Sequence, residues 1–179
     1  MFKNIAKIYK IFRIFSVMNF YDETAAGYEE LHKEEQLKKI RLIKKCLKVK
    51  LKDKLLDVGC GFGLTTEPWK CKRYGIDTSK NLLKRARQKN KIEYKLASAE
   101  NIPYKDNFFD IVISITAIQN FDNVENGLKE IKRVGKDKFV LTFLKKSSKK
   151  EKIENLIREH FKVEEKIEEE RDIIFITKR

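Results

Sequence analysis

The sequence predicts a single α/β domain built around a mostly parallel β-sheet. Short apolar runs alternate along the chain with stretches of helical periodicity, which is typical of parallel strands joined by crossover helices. The 179 residues contain neither an internal repeat nor a Gly- or Pro-rich linker, and this also favours one domain. The last two apolar runs are too close together for a crossover helix, so we expect them to pair as antiparallel strands.

The first 17 residues predict a basic amphipathic helix in front of the domain. Its apolar residues recur at three- and four-residue spacing among lysines and an arginine: Phe2, Ile5, Ile8, Phe12 and Phe15. Such a helix could be an extension peripheral to function, or it could lie on a membrane or on nucleic acid. The stretch from Met18 looks like a natural start, so residues 18–179 are assigned to the domain. No run approaches the ~20 apolar residues of a membrane span, so we expect no stable membrane insertion and a cytoplasmic protein.

The first half of the domain predicts two helices and three strands. Helical spacing runs through Leu31, Leu37, Ile40, Ile43 and Leu47. A second helix is predicted in SKNLLKRARQKN, where Ser79 could cap the first turn. The three buried strands are predicted in KLLDVGC, YGIDTS and IEYKLAS.

The second half continues the alternation. A loop around Pro103 leads into DIVISITA, whose β-branched residues suit burial on both faces of a sheet. Helices are predicted in NVENGLKEIKRV and SSKKEKIENLIREHF, with a strand, KFVLTFLK, between them. The tail KVEEKIEEERDIIFITKR supplies the two closing strands.

Charge and cysteine usage narrow the classes of function. The chain has 41 Lys and Arg against 27 Asp and Glu, a net charge of +14. This excess favours an anionic partner, nucleic acid first and an anionic membrane second, although an ordinary enzyme from a lysine-rich proteome is the alternative. Cys46, Cys60 and Cys71 form no CxxC pair and there are only two histidines, so neither a protein-held metal nor a disulfide framework is expected.

The most informative stretch is LLDVGCGFG, residues 55–63. Gly59, Gly61 and Gly63 occupy every second position, although the whole chain has only seven glycines. The first strand ends at this loop, and in doubly wound sheets the ligand sits at the carboxyl ends of the strands where the strand order reverses. Glycines let the backbone approach a ligand and turn into the next helix.

Two aspartates indicate the kind of ligand. Asp77 ends the second strand, where a carboxylate can accept hydrogen bonds from both ribose hydroxyls. The loop is GxGxG rather than GxGxxG, carries no Lys or Arg and is not followed by GK[ST], so an NTPase phosphate site is excluded. Asp57 at the loop entrance suits a positive centre or an amino group better than a pyrophosphate. The pattern predicts a nucleoside ligand.

The stretch from Leu55 to about Phe143 resembles the class I S-adenosylmethionine-dependent methyltransferases of the type 11 kind. The matching motifs are LLDVGCGFG, GIDTS, ASAENIPYKDNFFDIVIS and, upstream, YDETAAGYEEL. The resemblance implies a three-layer Rossmann-like fold whose seven-stranded sheet has its last strand inserted antiparallel. It also implies S-adenosylmethionine as the cofactor and S-adenosylhomocysteine as the product.

The resemblance assigns cofactor contacts residue by residue. The backbone of Gly59–Gly63 would face the methionine part, Asp77 would hold the ribose, and the Ala99 amide would serve the adenine. The family often has Asp where this chain has Ser98, which puts the usual contact to the adenine amino group in doubt. The full set assigned to the cofactor is Tyr21, Tyr28, Asp57, Gly59, Cys60, Gly61, Gly63, Asp77, Thr78, Ser98, Ala99, Glu100 and Thr116; for the two tyrosines, packing of the N-terminal helix is the alternative.

The methyl acceptor is expected beside the end of the fourth strand, at SITAIQNFDN. An activated sulfonium needs mainly orientation and desolvation of the acceptor, so no catalytic base is assigned. This stretch lacks the proline-containing tetrapeptide of amino-group methyltransferases, and Cys60 is misplaced for cytosine-C5 chemistry. Gln119, Asn120 and Phe121 are candidates for the acceptor side, with a helix-start loop and a core Phe121 as the alternative.

The loop FLKKSSKKEK after the fifth strand lies at the same edge. Lys145, Lys146, Lys149 and Lys150 could hold phosphates there, and a solvated helix start is the alternative. The first hypothesis is therefore a methyltransferase acting on tRNA or rRNA, for which the resemblance suggests a small zinc-binding activator protein that pairs with a sheet edge. A small-molecule methyltransferase is the second hypothesis, and a non-catalytic cofactor-binding subunit is the third.

Overall fold

The computed structural model of the chain describes residues 25–87 and 92–179, with side chains from residue 33 onward. The predicted N-terminal extension, residues 1–17, lies outside the described residues, so the domain boundary at Met18 stays a prediction. The elements are α1 Ala25–Cys46, β1 Lys54–Val58, β2 Lys72–Asp77, α2 Lys80–Ala86, β3 Glu93–Leu96, β4 Phe109–Ser114, a 3₁₀ helix Ile118–Asn120, α3 Val124–Val134, β5 Gly135–Leu144, α4 Lys150–His160, β6 Lys162–Glu168 and β7 Asp172–Lys178.

The described strands form one seven-stranded sheet in the order β3-β2-β1-β4-β5-β7-β6. Strands β1 to β5 run parallel, and β7 is inserted antiparallel between β5 and β6. The strand order reverses between β1 and β4, so the loops after these two strands meet at the switch point of the sheet. The predicted fold class, with its antiparallel closing strand, is confirmed.

Helices cover both faces of the sheet. Ile40 and Ile43 of α1 are fully buried against apolar residues of β1, β4, β5 and β7, and each such side chain contributes about 1.5–3 kcal/mol on burial. The opposite face packs against α3 and α4 through Leu128, Ile131 and Ile153. This arrangement gives the three layers and places α1 beside the carboxyl ends of β4 and β5.

The helices begin at residues that the sequence marks as caps. The Ser79 hydroxyl accepts from the Leu82 amide at 3.3 Å and starts α2, as predicted. The side-chain oxygen of Asn123 accepts from the Asn126 amide at 3.1 Å and starts α3. Each cap satisfies an amide that has no partner inside its helix.

One predicted element is wrong. The sequence predicts that the glycine loop turns into a helix, but residues 59–71 form turns that lead directly to β2. Pro68 disfavours helical geometry at the residue before it, and the Thr65 and Thr66 hydroxyls are turned inward to Asp57. The Trp69 indole N–H, which donates to the Thr65 carbonyl at 2.9 Å, closes the segment against the α1 face.

Candidate functional site

The glycine loop crosses the carboxyl ends of β1 and β2. Gly59, Gly61 and Gly63 all have positive φ angles, 77°, 55° and 88°, a region that residues with a Cβ rarely adopt. The amides of Gly59 and Cys60 both donate to the Ile76 carbonyl, at 2.9 and 3.0 Å. The loop is therefore held by the backbone of β2, with its own shape set by the glycines.

Two of these glycines are also required by their surroundings. A Cβ on Gly59 would lie 2.5 Å from the Cβ of Ala117, in the loop after β4. A Cβ on Gly63 would lie 2.2 Å from the Tyr94 hydroxyl of β3. A Cβ on Gly61 would meet only a Leu82 methyl group, at 3.9 Å. The middle of the loop thus has room above it, while its two ends pack tightly against neighbouring segments.

Asp77 lies at the end of β2, next to the loop. One carboxylate oxygen accepts from the Gly61 amide and the other from the Ser79 amide, both at 2.8 Å. A carboxylate at this position is of the type that accepts hydrogen bonds from vicinal hydroxyls. The structure brings Asp77 and the glycine loop together, as a ribose contact requires.

Asp57 is fully buried at the end of β1. Its Oδ2 accepts from the Thr65 and Thr66 hydroxyls at 2.6 and 2.7 Å, while its Oδ1 is buried without a hydrogen-bond partner in the structure. Burial, only partly offset by the two hydroxyls, raises the pKa of Asp57 to about 6. An unpaired carboxylate oxygen under the loop would be stabilised by a cationic or amino-group donor.

The segment assigned to the adenine follows β3. Its backbone is tied to Asp77, whose carbonyl accepts from the Ala97 amide at 3.1 Å. Ser98 and Glu100 are half-buried and Ala99 is buried, while the Glu100 carboxylate accepts from the Asn123 amide at 3.1 Å. Thr78, on the other side of Asp77, is exposed.

The acceptor loop, residues 115–121, begins with an unusual backbone conformation. Thr116 has a φ of 55°, which is rare for a β-branched residue. Its hydroxyl accepts from the Lys39 ammonium at 2.6 Å and donates to Asp172 at 2.9 Å. The side chain of Thr116 is therefore engaged away from the glycine loop, and its amide donates to the Thr142 hydroxyl at 2.7 Å.

The other three acceptor candidates differ in how far their side chains are buried. Gln119 is half-buried, donates to the Thr116 carbonyl at 2.7 Å and has a buried Oε1 with no partner. Asn120 is exposed. Phe121 is 8% exposed and packs on Gly127 and Ala99 in the core. The structure therefore follows the alternative for Phe121, whose ring packs inside the protein rather than facing an acceptor.

The four predicted phosphate-binding lysines also differ. Lys145 lies 3.5 Å from the Glu168 carboxylate, and the Lys149 ammonium donates to the Phe121 carbonyl at 2.9 Å. Lys146 is exposed and Lys150 is half-buried, and neither has an acidic partner among the described side chains. Two lysines thus hold the loops together, and the other two are available to a ligand.

The described residues can also be examined for a cysteine nucleophile, a metal site and a membrane span. Burial raises the pKa of the Cys60 thiol well above its usual value, so Cys60 is not a thiolate nucleophile. Among the described residues there is no cluster of His, Cys, Asp and Glu that could hold a metal ion. No helix in that part of the chain is long and apolar enough to cross a membrane. Tyr21 and the side chain of Tyr28 lie outside the described residues.

Comparison with known proteins shows the family to which this geometry belongs. Residues 56–143 match the family model of the methyltransferase domain. The chain is 31% identical over 150 residues to the uncharacterized protein MJ1252 of Methanocaldococcus jannaschii, covering 82% of this chain and 59% of that protein. It is 30% identical over 132 residues to a malonyl-[acyl-carrier protein] O-methyltransferase of Hamiltonella defensa, covering 72% and 51%.

Residues 56–143 form a methyltransferase domain of the class I S-adenosylmethionine-dependent kind. S-adenosylmethionine is the cofactor of this family, in agreement with the cofactor that the sequence predicts. The described residues fit that cofactor: a glycine loop with room above Gly61, a carboxylate at Asp77 beside that loop, and the unpaired oxygen of Asp57.

The chain is also similar in fold to a chain of a solved methyltransferase complex. The chain superimposes with a TM-score of 0.75 and 15% identity on a structure described as a complex of the Haloferax volcanii Trm112 methyltransferase activator and a methyltransferase, covering 88% of this chain and 96% of that chain. At this identity the likeness shows the fold alone. The chain spans about half to three-fifths of the length of the first curated relatives that it matches.

Sequence reasoning missed the residues that hold the acceptor loop. Lys39 on α1 and Asp172 at the start of β7 form a buried ion pair of 2.6 Å beneath Thr116. The available signal was the position of Lys39, which lies on the same helical face as Ile43 and directly beside Ile40. A lysine on the apolar face of an amphipathic helix requires a buried partner.

Proposed function

We propose that this chain transfers the methyl group of S-adenosylmethionine to RNA. The observation that supports methyl transfer is the joint placement of the glycine loop, Asp77 and the acceptor loop at the switch point of the sheet. The observations that support RNA are the net charge of +14 and the lysines at the same edge. The choice of RNA as the acceptor depends only on the net charge and on these lysines.

The chain's own residues would orient the reactants rather than exchange protons. S-adenosylmethionine, when bound, supplies a methyl group already activated on a sulfonium. Asp77 would fix the ribose, the amides of the glycine loop would face the methionine part, and the buried Asp57 would balance a positive charge. Ala117 packs on Gly59 and brings the acceptor loop next to the cofactor loop. Orientation and exclusion of water can then supply most of the rate enhancement.

The shape of the acceptor side also supports a large substrate. Only residues 145–149 connect β5 to α4, and within the described ranges no inserted segment covers the carboxyl edge between them. Small acceptors are usually enclosed by their pockets, whereas a nucleic acid can reach an open edge and be held by phosphate contacts. Lys146 and Lys150 are placed to make such contacts.

A partner protein is the second part of the proposal. The edge strands are β3 and β6, and β6 is charged at five of its seven positions, a feature that disfavours strand addition. Strand β3 is short and ends at Leu96, which is 56% exposed. We propose that a small zinc-binding activator pairs along β3; co-purification with a β3 variant such as Leu96→Lys tests this, and undiminished co-purification would contradict it.

The acceptor can be identified with radiolabelled cofactor. The purified protein is incubated with tritiated S-adenosylmethionine and, separately, total RNA, protein and small-metabolite fractions, with and without the co-purified partner. Label in RNA, followed by nucleoside mass spectrometry, would support the proposal and name the methylated atom. Label confined to the metabolite or protein fraction would reject RNA and favour a small-molecule acceptor or, as the name of the Hamiltonella relative indicates for that protein, a carrier-bound acyl group.

The role of the lysines has its own test. Lys146→Glu with Lys150→Glu should weaken RNA binding, and the slope of log K against log[salt] should fall by roughly 0.7 for each phosphate of single-stranded RNA that is no longer neutralised. The matched control is Lys70→Glu with Lys72→Glu, two exposed lysines at the opposite edge of the sheet. Equal losses in both double variants would show that the binding is non-specific.

A further inference from the structure

The structure holds a buried ion pair that the cofactor site does not use. The Lys39 ammonium and the Asp172 carboxylate lie 2.6 Å apart, and their side chains are only 3% and 1% exposed. Ion pairs so deeply buried contribute little net stability, because the desolvation of both charges offsets their attraction. A pair of this kind at the functional edge of a sheet therefore indicates a second role.

Both charged groups converge on one hydroxyl. Thr116 Oγ1 accepts from Lys39 and donates to the second oxygen of Asp172, at 2.6 and 2.9 Å. The Thr116 amide donates to the Thr142 hydroxyl of β5 at 2.7 Å. Three segments that are distant in sequence, α1, β5 and β7, thus fix a single residue of the acceptor loop from the inside.

That residue has a strained backbone. A φ of 55° is unfavourable for a β-branched residue and persists only where the surroundings enforce it. Its conformation sets the direction of the chain that follows, where Ala117 packs on Gly59 and the Gln119 amide group donates to the Thr116 carbonyl. A change at Thr116 would therefore move the acceptor loop relative to the glycine loop.

We infer that Lys39 and Asp172 are positioning residues for methyl transfer: they hold Thr116 in its left-handed conformation and so place the acceptor loop against the cofactor loop. This inference rests on the proposed methyltransferase function. The cofactor loop itself is held separately, by the Ile76 carbonyl and the Asp77 carboxylate. Loss of the pair should therefore affect the acceptor loop and turnover more than cofactor affinity.

The test replaces both charges at once, because removal of one partner would leave the other charge buried and could unfold the protein. In Lys39→Met with Asp172→Leu, amide hydrogens of residues 115–121 should exchange at least tenfold faster than in wild type. The affinity for S-adenosylhomocysteine, measured by calorimetry, should stay within about threefold. Methyl transfer to total RNA should fall at least tenfold through kcat.

The matched control lies at the other end of β7. Lys178 and Glu164 form an exposed pair of 2.6 Å, and Lys178→Met with Glu164→Leu should leave exchange in residues 115–121 unchanged. At Thr116 itself, Thr116→Ser keeps the hydroxyl and should keep amide exchange in residues 115–121 slow, whereas the isosteric Thr116→Val should reproduce the fast exchange of the Lys39/Asp172 double variant.

The outcomes separate this inference from the function on which it rests. Two results would overturn the positioning role. One is unchanged exchange in residues 115–121 of the folded Lys39/Asp172 double variant. The other is exchange in Thr116→Val that matches exchange in Thr116→Ser. Exchange and cofactor binding need no acceptor, so they judge the pair even if wild type fails to methylate RNA. That failure would reject the RNA acceptor and leave the structural result standing.

Discussion

The carboxyl and amino edges of the sheet both carry charged side chains and residues with positive φ, but the surroundings of these residues differ between the two edges. At the carboxyl edge, a carboxylate oxygen of Asp57 is buried without a partner, three glycines and Thr116 have positive φ, and the Lys39–Asp172 pair is buried. At the amino edge, the Asp110 carboxylate accepts from the Lys54 amide at 2.8 Å and from the partly exposed Lys136 at 2.6 Å.

The contrast extends to backbone conformation. Asn107, in the loop before β4, has a φ of 53°, and its amide donates to the Arg133 carbonyl at 2.9 Å. Asparagine tolerates the left-handed region, whereas threonine does not. The amino edge thus uses residues suited to their geometry, while the carboxyl edge retains unfavourable ones. The left-handed backbone of a β-branched residue, Thr116, distinguishes the carboxyl edge, and such strain often marks the place where a ligand acts.

The largest expected effect is at the glycine loop. Gly59→Ala should destabilise the protein by roughly 2–5 kcal/mol, because φ is 77° and the new Cβ would lie 2.5 Å from Ala117. Gly61→Ala should cost only about 1–2 kcal/mol, since its nearest neighbour is at 3.9 Å. Urea unfolding measures both. Ala117→Gly should restore part of the stability of Gly59→Ala, and no restoration would contradict the packing of these loops.

The next effect is the pH dependence that Asp57 introduces. Burial raises its pKa from 3.8 to about 6, so the folded protein holds this proton more tightly than the unfolded chain. The resulting stability is fully present below pH 3.8 and is lost as the pH rises through 6. As the pH rises across that window, wild type should lose about 3 kcal/mol of unfolding free energy relative to Asp57→Asn. Parallel stability curves from about pH 4 to 7 would refute the raised pKa.

A smaller effect is expected at Asp77. Asp77→Ala should weaken S-adenosylhomocysteine binding by at least tenfold, because it removes the proposed ribose acceptor and the observed acceptor of the Gly61 and Ser79 amides. Asp110→Ala at the amino edge is the control and should leave the affinity unchanged. Calorimetry compares the two variants. Equal losses would mean that Asp77 acts only through stability.

The smallest effect is expected for the exposed pair at the amino edge. Lys136→Met breaks a 2.6 Å contact with Asp110 between side chains that are 51% and 32% exposed. Such pairs contribute about 0–1 kcal/mol, so urea unfolding should shift little and cofactor affinity not at all. A loss comparable to that of Gly59→Ala would remove the distinction between the two edges.

Much of the fold was predictable because its signals are local. Apolar runs and helical spacing predicted the strands and helices, and Ser79 predicted the start of α2. The missing helix after the glycine loop was not predictable from glycine spacing, because the inward hydrogen bonds of Thr65 and Thr66 depend on a buried Asp57. The position of Asp77 at the end of β2, beside the glycine loop, could be predicted from the sequence, and its contact with a ribose stays a prediction.

The acceptor side was less predictable, because its contacts join distant segments. Nothing in the order of residues pairs Lys39 with Asp172, and the burial of Phe121 depends on Gly127 and Ala99 in other elements. Lys145 and Lys149 have the sequence pattern of free cations but contact Glu168 and the Phe121 carbonyl. Charge patterns in a sequence indicate how many cations are present, whereas folding decides which ones are free.

The most direct test of the cofactor site is a titration of the isotopically labelled protein with S-adenosylhomocysteine, followed by amide chemical shifts. The carboxyl edge should respond: the amides of Gly59, Gly61, Thr78, Ala99 and Glu100 should shift, while those of residues 135–138 at the amino edge should not. Saturable shifts confined to the carboxyl edge are the predicted result. Shifts at the amino edge, or none in the glycine loop, would contradict the assignment of the cofactor site.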